Sequence, residues 1–117
     1  MDTAVLQKVV AQYIEAFDKA DINIIQTMFA EDATVEDPVG TPVRKGLSAI
    51  TEFYQGAFGA GAKLTLNGKP RCAGNSVAFS FDVLIGDMKI SPIDVFVLNE
   101  SGKVVSMKAY WGPENMS

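Results

Sequence analysis

The chain contains no histidine and a single cysteine, Cys72. The first absence removes Ser-His and Cys-His nucleophilic pairs and nearly every transition-metal site built on imidazole. The second excludes an internal disulfide and fits a reducing cytoplasm, the compartment expected for this protein. Basic residues are also scarce: 10 Lys plus Arg stand against 14 Asp plus Glu, a net charge of −4. Without a basic run, the electrostatic footprint of a nucleic-acid binder is missing. No apolar run approaches the length of a membrane span. Met1-Asp2-Thr3 lacks the basic start of a signal peptide, and none is expected. Gly59-Ala60-Gly61 does not continue into a dinucleotide or phosphate loop. Neither a metal nor an organic cofactor is therefore expected, and proton chemistry must use Asp, Glu, Tyr, Lys or water.

What is present suffices for one domain over residues 1–117. At 48% hydrophobic, the chain can bury roughly two thirds of its unfolded surface without a covalent or metal staple. Apolar spacing divides it in two. Val5, Leu6, Val9, Val10, Tyr13, Ile14 and Phe17 form one stripe at helical period, with Asp2 or Thr3 able to cap its start. Asp18 to Asp21 breaks that helix. Asp21 can cap a short second one carrying Ile24, Ile25, Met28 and Phe29, ended by Glu31-Asp32. Ala33 to Asp37 reads as a strand stopped by Pro38 and Gly40. A third helix opens at Gly46-Leu47-Ser48, with Ser48 as its expected cap and Ile50, Phe53, Tyr54 and Ala57 or Phe58 as its stripe. After Gly61 the pattern alternates. Strands are expected over Lys63 to Cys72, Val77 to Ile85, Met88 to Leu98 and Lys103 to Trp111. Helices first and an antiparallel meander afterwards describe an α+β domain.

Three residues stand out. Asp94 shares a strand face with Ile90, Pro92, Phe96 and Leu98, while Ile93, Val95 and Val97 occupy the other face. Its carboxyl therefore meets apolar surface either way. Burying an unpaired carboxylate costs several kcal/mol, so the group protonates and becomes a hydrogen-bond donor. Tyr13 puts its ring in a core and leaves its hydroxyl in need of a partner. Asp37 ends an apolar strand against Pro38. Taken singly, each has an ordinary reading: a core tyrosine, a turn-forming Asp, a structural hydrogen-bonded Asp. Tyr54 reads as a further buried phenol. Trp111, Phe79 and Phe81 read as core or pocket wall, and Lys63, Lys69 and Arg71 as a solvated strand face. Ile93, Val95 and Val97, with Val105, Met107 and Ala109, read as an apolar sheet face left uncovered by three helices.

The runs holding these residues resemble the bacterial Δ5-3-ketosteroid isomerases, within the cone-shaped domains related to nuclear transport factor 2. They are Phe29-Ala30-Glu31-Asp32-Ala33-Thr34-Val35-Glu36-Asp37-Pro38-Val39-Gly40, Ala49-Ile50-Thr51-Glu52-Phe53-Tyr54 and Pro92-Ile93-Asp94-Val95-Phe96. Gly102 to Met107 and Gly112 to Asn115 follow in the expected order. The resemblance implies three N-terminal helices packed in the concave face of a curved, mainly antiparallel sheet. It implies a homodimer and a cofactor-independent isomerase acting on an apolar keto steroid. Asp37 would be the general base, Tyr13 the oxyanion-hole phenol and Asp94 a protonated acid donor, with Tyr54 behind Tyr13. Trp111, Phe79, Phe53 and Phe96 would wall the pocket. The protonated acid is an established feature of that family; the strand-face argument for Asp94 is independent of it.

This chain departs from the family in three places. Phe29 replaces a further tyrosine of some members, Ser91 replaces a small apolar residue beside the acid, and the stretch 55–93 is shorter. Two rival readings are an isomerase or cyclase of the same fold for another small apolar ketone, and a non-catalytic apolar-ligand-binding domain. Dehydratases of the fold need histidine, and no Asp-Arg-Asp arrangement matches its epoxide hydrolases.

Overall fold

The computed structural model describes residues 1–117. Asp2 caps α1 (Thr3–Lys19) by accepting from the Ala4 amide. The stripe turns Leu6, Val9, Val10, Tyr13 and Phe17 into the core together with Ala16, while Val5 is exposed. At the other end Lys63 donates to the carbonyls of Phe17 and Asp18 in the last turn, adding to the bond Phe17 takes from the Ala20 amide. Asp21 caps α2 (Ile22–Met28) on the Asn23 amide. No helix is long and apolar enough to cross a membrane.

β1 (Phe29–Glu36) begins before Glu31-Asp32 rather than after it. The register slips between Phe29 and Thr34, so the acidic pair reaches solvent without ending the strand. β2 (Arg44–Lys45), which spacing did not announce, pairs antiparallel with β1. α3 (Leu47–Gly59) starts from Gly46, whose φ of 88° suits glycine; Ser48 lies inside the helix and caps nothing. It buries Ile50 and Tyr54.

Two expected strands are each divided. Residues 63–72 form β3 (Lys63–Leu66) and β4 (Arg71–Ala73), parted at Gly68 and Pro70. After β5 (Ser76–Ile85), residues 88–98 form β6 (Met88–Ile90) and β7 (Ile93–Leu98), parted at Pro92, which has no amide for the ladder. β8 (Val104–Tyr110) follows, and a 3₁₀ turn, Pro113–Asn115, lies near the end.

The sheet order is β2-β1-β8-β7-β5-β3, with β4 and β6 also on β5. β1 and β8 run parallel, so the sheet is mixed rather than a meander. The first half of β5 pairs with β7 and β4, and its second half with β3 and β6. That exchange of partners curls the sheet around the helices and one core of 23 buried residues.

The register also corrects the outer face. Met107 lies opposite Phe96 and Ala109 opposite Asp94, so both point inward and are buried. A bulge between Val97 and Leu98 absorbs Val105. The face turned away carries Ile93, Val95 and Val97 beside Tyr110, Lys108 and Ser106.

Candidate active site

The curled sheet and the helices enclose a cavity of about 200 Å³. Asp37 and Asp94 are the only acidic or basic residues lining it; the other walls are aromatic or aliphatic.

Tyr13 projects from α1 into an aromatic cage. Phe17, Tyr54, Phe79 and Phe96 surround its ring edge-on, with centroids 5.1, 5.7, 5.9 and 5.0 Å away. Such packing fixes the ring and leaves the hydroxyl as its working end. That hydroxyl is 2.9 Å from the hydroxyl of Tyr54, itself fully buried on α3. Burial raises both phenols well above their ordinary range; the neighbouring Tyr54 adds to this at Tyr13, and Asp94 adds to it at Tyr54. Both therefore stay protonated. Either hydroxyl can be the donor; when Tyr54 donates to Tyr13, the Tyr13 proton is free for the cavity.

Asp94 sits on β7 between Phe79 of β5 and Ala109 of β8. It is the one acidic or basic residue in the buried set, and its Oδ1 has no hydrogen-bond partner in the protein. Burial holds its carboxyl well above the usual range, and the charge of Asp37 pushes the same way; contact with the Tyr13 hydroxyl opposes both. Its surroundings therefore favour the protonated form of the carboxyl.

Asp37 follows β1 and is half-buried. Its Oδ1 accepts from the Trp111 indole Nε1 at 2.8 Å. The loop around it is stapled. Val39 donates to the Ala109 carbonyl, Gly40 to the Glu36 carboxylate, and the Thr41 hydroxyl to the Pro38 carbonyl. Burial raises the Asp37 carboxyl, while the Trp111 hydrogen bond and the charge of Arg44 pull it down.

Residues 10–107 match the model of the SnoaL-like domain. The chain belongs to the SnoaL-like family. It is 37% identical to a steroid Delta-isomerase of Nocardioides simplex, across 97% of this chain and 95% of that protein. Among solved structures it is similar to SalBIII, an epoxide hydrolase/cyclase-like enzyme of pyran ring formation in polyether salinomycin. The TM-score is 0.91 at 32% identity, covering 99% of this chain and 97% of that one. The three helices against a strongly curled mixed sheet are the nuclear transport factor 2-like fold.

Within this SnoaL-like domain, Tyr13, Asp37, Tyr54 and Asp94 come together on one cavity, with Phe53 and Trp111 in its wall. Phe79 and Phe96, expected in the wall, lie one layer behind it and pack on Tyr13. Phe81, Val83 and Ile85 line the cavity instead, because β5 changes sheet partners near Ser80. Ser91 donates to Asp82 at 2.8 Å. The Phe29 ring lies 5.7 Å from that of Tyr54 and adds no hydroxyl. Two features escaped the sequence reading: the Trp111–Asp37 bond and Arg44, whose guanidinium stands 4.3 Å over the Phe53 ring. The only signal for Arg44 was its place opposite a buried strand, which needed β2 to be recognised.

Proposed function

We propose that this SnoaL-like protein is a cofactor-independent steroid Δ-isomerase, moving a C=C bond into conjugation with a 3-keto group. One observation carries the reading: a half-buried carboxyl, a phenol and a fully buried carboxyl lie on one otherwise apolar cavity. The likeness to the steroid Delta-isomerase supports the substrate class.

In the proposed mechanism Asp37 takes the proton from the carbon between the ketone and the double bond. The electron pair moves onto the ketone oxygen and forms a dienolate. Tyr13 and Asp94 donate hydrogen bonds to that oxygen as its charge develops. Asp37, now an acid, returns the proton two carbons further on, so nothing is consumed. Fixed donors in a site shielded from water stabilise such an oxyanion strongly, and losing one typically costs about 10²–10³ in rate.

The test is ultraviolet detection of the conjugated enone from a Δ5-3-ketosteroid. Wild type should turn it over and Asp37→Asn should not, while both bind a steroid product analogue. Tight binding without turnover by wild type would leave a binding domain in place of an enzyme.

The likeness to SalBIII favours a second reading, ring closure of a hydroxy substrate by the same carboxylate and acid. Ring closure with no enone formation would select it. We also place a second copy of the chain on the outer sheet face, where Ile93 and Tyr110 are 47% and 49% exposed. A monomer mass at micromolar concentration would refute that dimer.

A further inference from the structure

Arg44 has no role in the mechanism above, yet the fold aims it inward. It is the antiparallel partner of Val35 on β1, and paired residues share a face of the sheet. Val35 is fully buried, so Arg44 points toward the core from an edge strand, beside the loop that carries Asp37. Its guanidinium lies over the ring of Phe53, a cavity-wall residue, at a distance where a cation and an aromatic face attract. Its Nη1 is buried and has no hydrogen-bond partner in the protein.

No carboxylate forms a salt bridge with it; the one salt bridge of the molecule joins Lys19 to Glu15 on the surface. Lys103 is the other cation that is not fully exposed, and its ammonium is engaged by the Thr27 carbonyl. The groups that face Asp37 across the cavity are Tyr13 of α1, Tyr54 of α3 and Asp94 of β7, with Trp111 after β8. None of these is a cation. Positive charge on the inward side of this site therefore comes from β2.

We propose that Arg44 is a positioning residue for the reaction: seated on Phe53, it supplies the inward positive charge that keeps Asp37 a carboxylate when substrate fills the cavity. Substrate displaces water that would otherwise solvate the carboxylate, and a guanidinium stays charged in a dry setting where an ammonium gives up its proton more readily. The catalytic consequence rests on the isomerase reading; the influence of the Arg44 charge on Asp37 does not.

The experiment follows Asp37 directly, by ¹³C NMR titration of its carboxyl in the intact protein without substrate. Wild type, Arg44→Met, Arg44→Gln and Arg44→Lys are compared, and Asp37→Asn serves to identify the resonance. Loss of the charge should move the Asp37 midpoint to higher pH in Arg44→Met and Arg44→Gln, and Arg44→Lys should return part of the shift. In steady-state assays, kcat/KM of both neutral variants should fall by roughly three- to tenfold on the acid limb and recover at higher pH. A purely structural role would lower the high-pH plateau as well. An Asp37 midpoint unchanged in whichever neutral variant folds, or a loss equal at all pH, overturns the proposal. A shifted midpoint in a protein with no isomerase activity refutes the isomerase reading and leaves the influence of Arg44 on Asp37 standing.

Discussion

Asp37 and Asp94 are the same side chain in two regions of one cavity, and their surroundings differ. Asp37 is half-buried on a loop, takes a hydrogen bond from Trp111 and feels the charge of Arg44. Asp94 is buried on a central strand, and one of its oxygens has no protein partner. Burial raises both carboxyls, but at Asp37 an indole N–H and a cation oppose it. The comparison shows that depth and partners, not residue type, set the two carboxyls apart. The proposed mechanism uses this difference, the half-buried carboxyl as base and the buried one as donor, because a base must be ionised and an oxyanion donor must not be.

The strongest way to break this contrast is at Asp37. Asp37→Asn keeps the shape and the loop but removes the base, so kcat should fall by at least about 10³ while a product analogue still binds. Retention of a tenth of the activity would remove Asp37 from the role.

Next comes the donor wall. Tyr13→Phe should lower kcat by about 10²–10³ and stability by no more than about 1–2 kcal/mol, the cost of leaving the Tyr54 hydroxyl without its partner. Chemical denaturation measured beside turnover separates the two effects.

Asp94 sharpens the comparison, because Asn can donate a hydrogen bond and Ala cannot. Asp94→Ala should lose about 10² in kcat, and Asp94→Asn less than about tenfold. An inactive Asn variant beside a fully active Ala variant would show that the group is not a neutral donor. Tyr54→Phe should cost less still, under about tenfold, since the Tyr13 donor remains; a larger loss than in Tyr13→Phe would exchange the two roles.

The smallest signal is in stability. The folded carboxyl of Asp94 binds its proton more tightly than the unfolded one, which titrates near about 4. Its contribution to folding is therefore complete below that pH and is lost as pH rises toward the folded value. Asp37 contributes with the same sign. Urea unfolding from pH 4 to 8 should show wild type losing stability along this slope and Asp94→Asn losing less. Equal slopes would place the titrating group elsewhere.

Much of the fold was legible. Asp2 and Asp21 announced two helix starts because an N-cap needs only its own side chain and an amide two residues on. The inward aim of Asp94 was legible because alternation along one strand needs only that strand's neighbours. Ser48 misled because a glycine backbone, rather than a hydroxyl, begins α3. Met107 and Ala109 misled because their face depends on a bulge against β7.

The sequence by itself determined the order of elements and the inward stripes of Tyr13, Tyr54 and Asp94, since helical and alternating periods are local properties of the chain. Only the tertiary structure decided which of these side chains would meet. Tyr13 and Tyr54 are 41 residues apart, and Asp37 and Trp111 are 74 apart. Their contacts depend on the parallel register of β1 on β8 and on the curl of β5, neither of which is written in the period of any single strand. The titration of each carboxyl follows from that assembly, because an ionisable group responds to the water removed from it and the charges brought near it, and both are set only when distant segments close around the cavity.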